Sequence, residues 1–166
     1  MEIILAENHG FCYGVKRAVE MANEAANGDG KSYTLGPIIH NPQVVGRLES
    51  KGVKPIDEVS DIDSGTMIIR SHGVGPAIYE EAENKGLNIV DATCPHVKKA
   101  QQDAKSVIED GMTLVILGEK NHPEVKSINL WANNEGIIIE DEKSAQKLQI
   151  VEKMGGVVQP TFSQFK

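Results

Sequence analysis

The feature that most restricts how this 166-residue chain can fold is its punctuation. Four times an apolar run hands over, within a few residues, to a proline that opens an amphipathic segment: Asn41-Pro42, Gly75-Pro76, Cys94-Pro95 and His122-Pro123. Proline fits the first turn of a helix, where its missing N–H would have no partner anyway. Each such site therefore reads as the end of a strand and the start of a helix. Apolar runs at Glu2–Ala6, Ser32–Gly36, Thr66–Arg70, Leu87–Thr93, Thr113–Gly118, Gly136–Glu140 and Gly155–Pro160 predict strands. Helical spacing predicts helices over Gly14–Ala26, Asn41–Gly52, Pro76–Gly86, Pro95–Gly111, Pro123–Asn134 and Asp141–Gln149.

Strands separated by helices of this length pair in parallel, with right-handed crossovers. The expected class is α/β. So many strands exceed what one small sheet holds, so the reading divides the chain into two α/β units, residues 1–94 and 95–166, of about four strands each. Nothing after the last strand covers it except "TFSQFK", where Ser163 would suit the N-cap of a further helix. The second unit is accordingly expected to be incomplete. With aromatics at 4%, the core must be aliphatic.

A net charge of −7 argues against nucleic acid and anionic membrane surfaces as partners. No apolar run is long enough to span a bilayer, and the acidic N-terminus has no secretory character, so a cytoplasmic location is expected. A small anion remains compatible, because helix N-termini and histidines can build a positive pocket inside an acidic protein.

The same junctions carry the reactive side chains. His40, His72 and His122 each follow a strand and precede a proline, and both cysteines, Cys12 and Cys94, sit at helix starts. In a parallel sheet these positions share one edge, where free N–H groups and helix dipoles favour ligands. A thiol at a helix start has its thiolate stabilised, which suits a metal ligand or a nucleophile. Two thiolates point to iron–sulfur or zinc, and the histidines to phosphate or diphosphate. Glu124, in the first turn after His122, reads either as a carboxylate favoured by the dipole or as a proton donor beside an anion. Gly10, Gly14, Gly73 and Gly75 suit close backbone approach. His9 and His96 lack the helix-start placement and read as ordinary loop or surface residues.

Five motifs, "FCYGVKRAV", "GPIIHNPQVV", "RSHGV", "DATCPHV" and "NHPEV", in this order and at these spacings, resemble the 4-hydroxy-3-methylbut-2-enyl diphosphate reductase family. The resemblance implies a trefoil of three α/β units around a cavity holding a [4Fe–4S] cluster on three cysteines. By motif, Cys12 matches the first cluster ligand and Cys94 the second. The third cysteine, a Ser-x-Asn motif and another Ser belong to the family's third unit, and this sequence does not contain them. His40, His72 and His122 match diphosphate-binding and substrate-facing residues, and Glu124 the acid that supplies protons. Thr161 in "QPTFS" matches the second Thr of a family Gln-Thr-Thr segment, with Pro160 at the first. Ser127 and Leu130 stand where the family usually has glycine. The implied reaction is a two-electron reductive dehydroxylation giving isopentenyl and dimethylallyl diphosphates, with a ferredoxin or flavodoxin as electron donor. These 166 residues alone are expected to have little or no activity. The competing reading is a non-catalytic module binding a phosphorylated ligand or zinc through Cys12, Cys94 and one histidine.

Overall fold

The computed structural model describes residues 2–7, 9–28 and 30–162. Two parallel sheets organise them. The first contains β1 (Ser32–Leu35), β2 (Val53–Ile56), β3 (Thr66–Ile69) and β4 (Asn88–Asp91), in the order β2-β1-β3-β4. The second contains β5 (Thr113–Leu117), β6 (Ile137–Ile139) and β7 (Met154–Val158), in the order β6-β5-β7. The α/β class with small parallel sheets is as expected. The first sheet has four strands, with β2 in place of the expected strand at Glu2–Ala6. The second has three among the described residues.

Helices α1 (Tyr13–Ala26) and α2 (Pro42–Ser50) cover one face of the first sheet, and α3 (Pro76–Asn84) the other. Strand β3 shows why: Ile68 packs with Ala18, Ala22, Val44 and Leu48 on one side, and Met67 and Ile69 with Leu35, Val74 and Ala82 on the other. Period-2 alternation thus feeds two cores from one strand. In the second sheet, α4 (Pro95–Glu109) and α5 (Pro123–Trp131) close one face over Leu114, Ile116 and Val157. Its other face leaves Leu117, Ile137 and Val158 exposed. A four-residue helix, α6 (Glu142–Ala145), follows β6. The proposed N-cap Ser163 lies outside the described residues.

Two expectations are corrected. Glu2–Ala6 is not a strand: it has no sheet partner among the described residues, and Ile3, Ile4 and Leu5 are 73%, 83% and 74% exposed. An apolar run becomes a strand only where a neighbour satisfies its backbone. Conversely, β2 escaped the sequence reading because Lys54 and Pro55 interrupt its apolar character. Proline is tolerated because β2 is an edge strand.

These environments predict opposite responses. Ile68→Ala should cost about 2–5 kcal/mol of unfolding free energy, while Ile4→Ser should stay within about 0.5 kcal/mol of the parent. Urea unfolding decides it, and a large loss at Ile4 would show that this run is packed after all.

Candidate functional site

Parallel pairing sends the carboxyl end of β1 to His40, that of β3 to His72 and that of β4 to Cys94. The loops are tied together by main-chain bonds. Ser71 donates through both its N–H and its Oγ to the Ile38 carbonyl, at 3.3 and 3.2 Å, and its own carbonyl accepts from the Cys94 N–H at 2.9 Å. Arg17 of α1 donates to the Thr93 carbonyl at 3.1 Å. The motif residues Arg17 and Ser71 therefore splice the Cys12 helix, the His40 loop, the His72 loop and the Cys94 loop into one frame.

Helix caps hold the reactive groups. Cys12 is the N-cap of α1 and Cys94 that of α4, and neither side chain caps its helix, so both thiols remain available. Cys12 is exposed and Cys94 half-buried. A Cβ at Gly14 would lie 2.5 Å from the Cys94 Sγ, so only glycine lets α1 approach that sulfur. Asn41 caps α2 through its side chain, which accepts from the Val44 N–H at 3.0 Å. His122 caps α5: its Nδ1 accepts from the Glu124 N–H at 3.2 Å, which leaves Nε2 as the ring's donor.

The three imidazoles converge. Ring centroids lie 4.5 Å apart for His40–His72, 5.8 Å for His72–His122 and 6.3 Å for His40–His122. His72 is 7% exposed, and its Nδ1 is buried with no hydrogen-bond partner among the described residues. Burial, with smaller contributions from His40, Arg70 and His122, pushes its pKa down to about 4.

Glu124 is 4% exposed and accepts from Thr161 Oγ1 at 2.7 Å. Thr161 in turn accepts from Gln159 Nε2 at 2.9 Å, and Gln159 Oε1 accepts from the Glu119 N–H at 2.9 Å. The relay Gln159–Thr161–Glu124 fixes the carboxylate from the end of β7.

Seven candidate site residues, Cys12, Cys94, His40, His72, His122, Glu124 and Thr161, line one cavity of about 610 Å³ with Gly14, whereas Gly10, Gly73 and Gly75 are not in its lining. His96 lines it too and is exposed, as is His9, whose Nδ1 lies 2.8 Å from the Ala6 carbonyl. Ser71 and Gln159 were missed. Both stand at a strand's carboxyl end, the position that marked the histidines. Ser127, expected as a departure from the family's glycine, is buried and hydrogen-bonded without disturbing α5. Among the described residues, no group of three or more His, Cys, Asp or Glu side chains is placed to hold a metal ion. Cys12 and Cys94 supply two free thiols at the cavity, fewer than the three or four protein ligands an iron–sulfur or zinc site takes.

His72 gives a pH prediction. The unfolded chain takes up a proton near pH 6.5, but the folded chain only near pH 4. Between these values the unfolded state binds more protons, so stability is fully present above pH 6.5 and falls as pH drops toward 4. The loss should reach about 2 kcal/mol by about pH 4.5, and His72→Asn should flatten it. Unfolding titrations from about pH 7 to about pH 4.5 measure this. Equal slopes for parent and variant would contradict the desolvated imidazole.

Residues 3–166 match the family model described as LytB protein. The chain is 51% identical over 163 residues to the 4-hydroxy-3-methylbut-2-enyl diphosphate reductase of Geotalea uraniireducens (strain Rf4), and 50% identical to that of Geobacter metallireducens (strain ATCC 53774 / DSM 7210 / GS-15). Each alignment covers 98% of this chain and 58% of the relative, so the chain spans well under two thirds of their length. A solved (E)-4-hydroxy-3-methyl-but-2-enyl diphosphate reductase, described as the terminal enzyme of the non-mevalonate pathway, superposes with a TM-score of 0.85 at 43% identity, over 98% of this chain and 59% of that one. The E-1-hydroxy-2-methyl-but-2-enyl-4-diphosphate reductase from Plasmodium falciparum gives 0.90 at 32% identity, over 96% and 51%. No helix among the described residues is long and apolar enough to cross a membrane. With its two half-barren helix caps, its imidazole cluster and this match across nearly its whole length, the chain belongs to the LytB protein family.

Proposed function

We propose that this chain supplies the thiolate, imidazole and proton-donor face of a 4-hydroxy-3-methylbut-2-enyl diphosphate reductase. The observation that carries the reading is the convergence on one cavity of three imidazoles, two helix-cap thiols and the buried Glu124 carboxylate held by Thr161. His40, His72 and His122 bind and orient the diphosphate end of the substrate. Neutral imidazoles donate N–H bonds, and a bound anion favours the cationic form of His72, whose burial otherwise disfavours it.

The reaction cleaves the allylic C–O bond. Two electrons and two protons enter, the hydroxyl leaves as water, and a C–H bond forms to give isopentenyl or dimethylallyl diphosphate. Glu124 delivers a proton toward the leaving oxygen, and Thr161 holds that carboxyl in place and relays the proton. Cys12 and Cys94 would hold two irons of a [4Fe–4S] cluster, which when bound supplies electrons and Lewis acidity; the remaining ligand comes from outside these residues. A cytoplasmic location and a ferredoxin- or flavodoxin-type donor accompany the proposal. We further propose that residues 1–94 and 95–166 act as two units meeting at the cavity. The sheets supply one histidine loop from β1 and another from β3 on one side, and His122 and Glu124 on the other.

Anaerobic iron and sulfide reconstitution should give broad visible absorbance that Cys12→Ser or Cys94→Ser weakens by at least about half. Inorganic pyrophosphate should bind, and His72→Ala should weaken it about tenfold or more. Stoichiometric zinc with no visible band would replace this reading with the non-catalytic module.

A further inference from the structure

Helix α5 carries three residues at helical spacing, Ser127, Leu130 and Trp131, that the reductase chemistry does not use. All three meet the His72 loop of the other sheet. Ser127 Oγ lies 2.8 Å from the His72 carbonyl and 2.9 Å from the Glu124 carbonyl, and accepts from Gln101 Nε2 at 3.3 Å. Trp131 Nε1 donates to the Val74 carbonyl at 2.9 Å. Leu130 lies over Gly75, where a Cβ would come within 2.8 Å of the Leu130 Cβ.

The loop is built to receive them. Gly73 has φ +73°, in the left-handed region, and a Cβ there would meet Gln101 Nε2 at 2.4 Å. The far side of Trp131 stacks edge-on against Tyr79 of α3, with centroids 6.1 Å apart. Tyr79 donates to Asp91 at 3.0 Å, and Asp91 pairs with Lys98 of α4 at 2.6 Å. Ser127 and Gln101 are both 3% exposed, so their polar atoms have been taken from water for these bonds.

We propose that Ser127, Leu130 and Trp131 form a latch between the two sheets, and that Ser127 and Trp131 are positioning residues for the anion cluster. Ser127 sits between the carbonyls of two site residues from different sheets, His72 and Glu124. It thereby sets how far the His72 ring stands from His122 and from the carboxylate. Without the latch, each sheet keeps its own core, since neither apolar cluster includes these residues. The separation between the two halves of the site is what loosens. The proposal deepens the diphosphate reading and rests on it for the affinity arm of its test.

Hydrogen exchange on the chain, with pyrophosphate as probe, tests the latch with Ser127→Ala and Trp131→Phe. The phenyl ring keeps the stacking on Tyr79 and loses only the N–H. Both variants should speed exchange about tenfold or more at residues 72–75 and 122–131, leave the β1, β3 and β5 amides unchanged, and weaken pyrophosphate about fivefold. Exchange that rises uniformly through both sheets, or stays at parental rates in residues 72–75, overturns the latch. So does accelerated local exchange with unaltered pyrophosphate affinity. If the parent chain binds no pyrophosphate, the diphosphate reading fails and the exchange pattern still decides whether the latch exists.

Discussion

Parallel strand pairing is the constraint on which the rest depends. It requires every crossover to return to the same edge, so every strand's carboxyl end and every following helix's N-terminus gather there. His40, His72 and Cys94 belong to one such edge, and His122 and Gln159 to the other. Two edges facing one cavity are enough to bring residues separated by more than a hundred positions to the lining of a single hollow.

Short strands sharpen this placement. With three to five residues per strand, each sheet has little room to slip in register without burying polar residues or exposing Met67, Ile68 and Ile69. The site inherits that rigidity through main-chain ties. Ser71 joins Ile38 to Cys94, Arg17 reaches Thr93, and Gln159 reaches Glu119, so the loops bearing the reactive groups are anchored at both ends. Of the imidazoles, His122 is tied through Nδ1 to the Glu124 N–H, while His72 Nδ1 has no hydrogen-bond partner among the described residues.

Much of this was written in local chemistry. Prolines at 42, 76, 95 and 123 mark helix starts because the residue and the first turn suit each other whatever surrounds them. The thiols and histidines were found because they repeat one placement. What escaped depends on neighbours distant in sequence. Strand status at Val53–Ile56 comes from β1 lying alongside, and the exposed Ile3–Leu5 run lacks such a neighbour despite stronger apolar character. The roles of Gln159 and Ser127 are invisible locally, since each is defined by a carbonyl, amide or hydroxyl supplied by another element.

The bare Cα of Gly14 has a consequence for the sulfur that rests on it. With no side chain on Gly14, α1 lies close against the Cys94 Sγ, and Cys94 still lines the cavity. A side chain at position 14 would take up the space that the sulfur now holds. The absence of one methyl group thus gives that thiol its place beside α1.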